Sequence, residues 1–78
     1  MKSIAVDCLF LEDGTVRVRR IRTQENWLSV EQGRQWQDDI GRHLLIMFGN
    51  GSVQEILLRK ETLIWEVAAV YGSGTTVV

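Results

Sequence analysis

The sequence predicts a small all-β domain, an antiparallel meander of five or six strands curling into a barrel-like sheet. Three observations carry this prediction. From Arg42 to Val67, three runs rich in Leu, Ile, Val, Met, Phe and Trp are separated by two short polar breaks, Gly49-Asn50-Gly51 and Lys60-Glu61-Thr62. Near the N-terminus Asp13-Gly14 stands between two β-rich runs, a strong short-range hairpin signal. Pro is absent, so no position in these runs lacks a ladder donor.

With 78 residues the chain is long enough for one domain only, and a domain of this size buries only about 60% of its unfolded surface. Three Trp help so small a core, because each buries a large area. Residues 1–71 are expected to form the domain. Residues 72–78 open on Gly72-Ser73-Gly74 and are expected to be a flexible tail.

The first strand is expected over Ser3 to Leu11, an apolar run interrupted by Asp7. The second follows Glu12-Asp13-Gly14 and covers Thr15 to Thr23. Val16 and Val18 alternate with Arg17 and Arg19, but the alternation then slips, because Ile21 should point outward. One extra residue at Arg19-Arg20, a β-bulge, returns Ile21 to the apolar face. Asp7 then falls opposite Arg19 or Arg20, depending on the length of the hairpin loop, and pairs with it.

Gln24 to Gly41 admits two readings. Trp27, Leu28 and Val30 suit a strand, with a turn at Gln32-Gly33, a short strand around Trp36 and a turn over Asp38 to Gly41. Alternatively, Ser29-Val30-Glu31-Gln32 is a capping box that opens a short helix over 29–40, giving an α+β fold. Gly33 early in that helix disfavours it by about 1 kcal/mol relative to Ala.

In the hairpin around Gly51, a three-residue loop with Gly51 left-handed places Leu44, Ile46 and Phe48 on one face with Ile56 and Leu58. That register gathers the most apolar side chains, and pairing follows the buried face. Leu63, Trp65 and Val67 continue the core. The opposite face then carries Leu45, Met47, Val53 and Leu57. A solvated outer face should be polar, so these four are candidate interface residues. Their expected cover is a second copy in a homodimer or the 24–41 segment.

The chemistry-bearing residue types are sparse. His43 is the only His, and Asp38, Asp39 and His43 fall short of a metal-ligand set. Cys8 is the only Cys; it lies mid-strand and reads as a buried thiol rather than a nucleophile for His43. The paired acids Glu12-Asp13 and Asp38-Asp39 sit in turns. No catalytic residue, cofactor, metal or small-molecule substrate is indicated. A lone Cys, no signal peptide and no apolar run near the ~18 residues that span a bilayer suggest a cytoplasmic protein with no membrane partner.

The strongest chemical signal is Arg17, Arg19, Arg20 and Arg22, four positive charges in six residues, with Trp27 or Trp36 as aromatic platforms. Small β-barrels bind single strands with such sets. Against this stands the net charge of −1, since a nucleic-acid domain is usually basic.

Trp27, Gly33-Arg34-x-Trp36, Arg42, Gly51-x-Val53-x-Glu55-Ile56 and Trp65-x-Val67 together resemble a bacterial family of small all-β domains of unknown function. The likeness spans most of Asp7 to Val67 and departs at Leu44 to Phe48, which is more aliphatic here. It implies an all-β fold and no activity. The function expected from the sequence is a non-enzymatic module for protein–protein interaction or self-assembly. The alternative is weak, sequence-tolerant nucleic-acid binding through the Arg17–Arg22 strand.

Overall fold

A computed structural model describes residues 3–73, with side chains through Tyr71. It is all-β, with strands β1 (Ser3–Phe10), β2 (Val16–Thr23), β3 (Asn26–Ser29), β4 (Glu31–Gln37), β5 (Gly41–Met47), β6 (Ser52–Arg59) and β7 (Trp65–Ser73). All pairings are antiparallel, and the order is β3-β2-β1-β7-β6-β5-β4. The sheet is thus two meanders, β1–β3 and β4–β7, joined where Ser3 and Ile4 face Glu66 and Trp65. It curls into a half-barrel with the core on its inner face.

Both glycine hairpins are built alike. Leu11 N–H donates to the Thr15 carbonyl at 2.9 Å and Gly14 N–H to the Leu11 carbonyl at 3.0 Å. Phe48 and Gly51 repeat this against Ser52 and Phe48, each at 2.9 Å. Gly14 and Gly51 have φ of 90° and 89°, the left-handed region where a side chain clashes. Asp13 and Asn50 complete the loops. Asp13 Oδ1 accepts from the N–H and hydroxyl of Thr15, and Asn50 Oδ1 from those of Ser52. The three-residue loop sets the expected register, with Leu44 opposite Ile56 and Ile46 opposite Gln54.

The expected bulge is present. Asp7 faces Arg20 while Cys8 faces Val18, so Arg19 is the extra residue. Val16, Val18 and Ile21 therefore all reach the core, joining Leu44, Ile46, Ile56, Leu58 and Trp65. Fully burying a side chain of this size contributes about 1.5–3 kcal/mol.

The middle of the chain departs from expectation. Residues 29–40 contain no helix. Gln32-Gly33 is not a turn but the start of an irregularity inside β4, where the register shifts between Gln32 and Gln35. The chain changes partner at Val30: β3 pairs with β2, β4 pairs with β5, and Val30 N–H donates to the Arg19 carbonyl at 3.1 Å. One bent stretch thereby links the two edges of the sheet, and the strand count rises to seven. β7 also runs through Ser73, so Gly72 and Ser73 belong to a strand rather than the expected tail. The rest of that tail lies outside the described residues.

Two glutamines close the curl. Beyond β3, the edge of β2 is met by side chains of β4. Val18 N–H donates to Gln32 Oε1 at 2.7 Å and Val16 N–H to Gln35 Oε1 at 3.1 Å. Both carboxamide nitrogens donate to the Val16 carbonyl at 2.9 Å. A carboxamide carries the same donor and acceptor as a peptide group, so it satisfies backbone that would otherwise be orphaned.

Candidate functional site

The outer face of β1–β3 is basic. Val16, Val18 and Ile21 point inward and are buried, which sends Arg17, Arg20 and Arg22 outward with Arg19 in the bulge; all four are exposed. Asp7, opposite Arg20, is the acid within this face. It accepts from Arg20 Nε at 3.0 Å and lies 3.5 Å from an Arg19 nitrogen. The Arg20 hydrogen bond, aided by the charges of Arg19 and Arg20 and opposed by desolvation, holds the Asp7 carboxyl below the usual range. Arg17 and Arg22 have no carboxylate partner among the described residues. Four guanidiniums against one carboxylate leave a local charge of about +3 on a chain whose net charge is −1. A shallow depression lined by Asp7, Arg19, Arg20 and Ser29 lies at its centre.

Trp27 belongs to this face. It pairs with Arg22 across β2 and β3, is 44% exposed, and has the Arg20 guanidinium 5.2 Å from its ring centroid. Trp36 does not. It lies on β4 and stacks on His43 with centroids 5.2 Å apart and planes 4° from parallel, while Arg34 sits 5.0 Å from its ring. The His43 stack and its place on β4 keep Trp36 away from the β2 arginines, so Trp27 is the platform beside them.

The Trp36–His43 stack heads a polar cluster of which the sequence grouped only Asp38 and His43; Glu55, Tyr71 and the stack itself were missed. His43 is 8% exposed. Its Nδ1 meets Glu55 Oε2 at 2.7 Å and its Nε2 meets Asp38 Oδ2 at 2.9 Å. Tyr71 donates its hydroxyl to Glu55 Oε1 at 3.2 Å, which pushes the phenol's pKa up. Asp38 also accepts from the N–H groups of Ile40 and Gly41, and the Ile40 contact leads the causes that hold its carboxyl low. Both imidazole nitrogens are thus within hydrogen-bond distance of a carboxylate oxygen. No ring nitrogen is left to ligate a metal or to take a proton from a substrate. The expected register already placed His43 and Glu55 diagonally on one face, which was the available signal.

This cluster changes the apolar strip. Leu57, opposite His43, is 2% exposed and lies outside the core cluster, so it is covered within the chain and is unavailable to a partner. Of the four interface candidates, Met47 is exposed and Leu45 and Val53 are half-buried. The 24–41 segment does not lie over them as a layer, since β4 is itself a strand of the sheet.

Cys8 packs against the inner core whereas His43 lies on the outer face. Burial first, then the Asp7 charge, raises the Cys8 pKa, which is the wrong direction for a nucleophile. No group of acids, His and Cys among the described residues is arranged to hold a metal ion, and no helix there is long and apolar enough to cross a membrane.

Comparison with protein-family models, curated proteins and solved structures finds no match to this chain. The all-β class expected from the sequence is the class observed.

Proposed function

We propose that the chain is a nucleic-acid-binding module, contacting phosphates through the outer face of β1–β3. The observation that carries this reading is the gathering of Arg17, Arg19, Arg20 and Arg22 with exposed Trp27 on one face. Phosphate contacts supply affinity without reading sequence. Three or four contacts make binding weak and tolerant of sequence. Self-association through Leu45, Met47 and Val53 is the second reading. Met47, at 40% exposure, supports it, and the buried Leu57 narrows it.

The test is a salt titration of oligonucleotide binding, with light scattering on the same samples to report any dimer. With three contacts to a single strand, log K should fall against log salt with a slope of about −2, roughly 0.7 per phosphate. Arg17→Ala with Arg22→Ala should flatten the slope. Asp7→Asn should tighten binding, because it frees Arg19 and Arg20 for phosphate. No binding at about 50 mM salt, where screening is weak, removes the reading.

A further inference from the structure

We infer that the nucleic acid taken by this face is single-stranded, running along β2 with a base stacked on Trp27 beside Arg20. The inference rests on the reading of the β1–β3 face as a phosphate surface, and it adds the strandedness and path of the ligand.

Spacing is the first argument. Arg20 and Arg22 stand two residues apart, about 7 Å at the strand rise. Arg17 and Arg20 are three residues apart in sequence, but the bulge absorbs one. Their partners on β1, Leu9 and Asp7, are only two residues apart. The bulge therefore sets Arg17, Arg20 and Arg22 at nearly even steps along one line. An extended sugar–phosphate backbone offers phosphates in a row of that kind. The arginines of one strand do not match the two diverging backbones of a duplex.

Shape is the second argument. The face is the outer, convex side of a curled sheet, three strands broad with about 4.8 Å between strands. A major groove about 12 Å wide admits a helix or a two-stranded ribbon, not a three-stranded convex face with arginines standing on it. A single strand has no groove to enter and lies on the surface.

The aromatic platform is the third. Trp27 is exposed and adjoins Arg22 across the pair and Arg20 on the diagonal, so a base stacked there keeps its phosphates within reach of both. A duplex keeps its base faces inside the helix, where Trp27 has nothing to stack on. Acids bracket the line, with Glu12 and Asp13 in the loop before β2 and Glu25 in the turn after it. The footprint is therefore short, about three phosphates.

Three probes test this on the full chain: an oligothymidylate of about ten nucleotides, a hairpin duplex of equal charge, and inorganic polyphosphate. The single strand should bind roughly tenfold tighter than the duplex and quench tryptophan fluorescence. Trp27→Ala should lower single-strand affinity by roughly tenfold and abolish the quench. It should leave polyphosphate binding unchanged, and Trp27→Phe should restore part of the loss. Circular dichroism of Trp27→Ala should match the parent, since the residue lies on a four-residue strand outside the core. If the duplex binds as well as the single strand, or Trp27→Ala changes nothing, the inference fails while the phosphate surface stands. If none of the three probes binds at about 50 mM salt, the phosphate surface itself is refuted.

Discussion

Leu63 shows how one residue can carry strain at a loop. The β6–β7 connection closes with Leu63 N–H donating to the Arg59 carbonyl at 2.8 Å and Arg59 N–H donating to the Ile64 carbonyl at 3.1 Å. That geometry puts Leu63 at φ 60°, left-handed, with a side chain 72% exposed rather than in the core where the alternation with Trp65 placed it. A non-glycine residue there costs roughly 1–2 kcal/mol, and the exposed side chain recovers little by burial. Asn tolerates this conformation and removes the apolar exposure. Leu63→Asn should therefore raise stability by about 0.5–1 kcal/mol, read as a higher urea midpoint at constant m-value. An unchanged or lower midpoint would show that Leu63 packs usefully against a neighbour. Gly41 is the opposite case. A Cβ there would overlap the Leu58 backbone carbonyl, so no side chain fits, although φ is ordinary. Nothing local in Ile40-Gly41-Arg42 announces that constraint, because the carbonyl arrives from a strand 17 positions later.

At the scale of elements, the β4–β5 connection is held by Asp38. Its Oδ1 accepts from Ile40 and Gly41 while its Oδ2 meets His43, so one carboxylate shapes the turn and clasps the strand beyond it. These contacts lower the folded-state pKa of Asp38 below the value of 3.8 expected without them. The resulting stabilisation is present above that value and is lost as pH falls through the lowered one. Asp38→Asn keeps a turn acceptor but cannot titrate. It should make the fall in stability below about pH 4 shallower than in the parent, where Asp7, Asp13 and Asp38 all contribute. Parallel acid-unfolding curves would remove Asp38 from this role. The same element separates what the sequence discloses from what it does not. The Gly14 and Gly51 hairpins and the Arg19 bulge were legible because turn chemistry and alternation are local. The change of partner at Val30 was not, because the chain bends there with no Gly or Pro to mark it. Gly33, which looked like a turn, serves an irregularity inside a strand. The basic face was readable as a run of arginines. That Trp27 joins it and Trp36 does not depends on pairings made across the fold.

For the whole molecule, closure rests on side chains where a complete barrel would use a strand ladder. β2 and β4 meet at the seam through Gln32 and Gln35, whose carboxamides satisfy the N–H groups of Val16 and Val18 and the carbonyl of Val16. Arg42 reinforces the seam by donating to Gln35 Oε1 at 3.2 Å and Gln37 Oε1 at 3.0 Å. These glutamines read as ordinary polar positions in sequence, yet they bridge to residues 14 to 19 positions away. Replacing both by Ala would leave two part-buried amides and a carbonyl without partners, at about 1–3 kcal/mol for each group left unsatisfied. Domains of this size are marginal, so Gln32→Ala with Gln35→Ala should lower the melting temperature clearly. Hydrogen exchange gives the sharper measurement. In the double variant the Val16 and Val18 amides should exchange much faster, while Leu44 and Ile56, inside the β5–β6 ladder, should change only as far as global stability does. Gln32→Glu isolates the donor. It keeps an acceptor for Val18 N–H but turns an oxygen toward the Val16 carbonyl, so it should destabilise above the carboxylate pKa and less at low pH. If Val16 and Val18 keep their protection in the double variant, water or a shift of β4 replaces the carboxamides and the seam is not held by them.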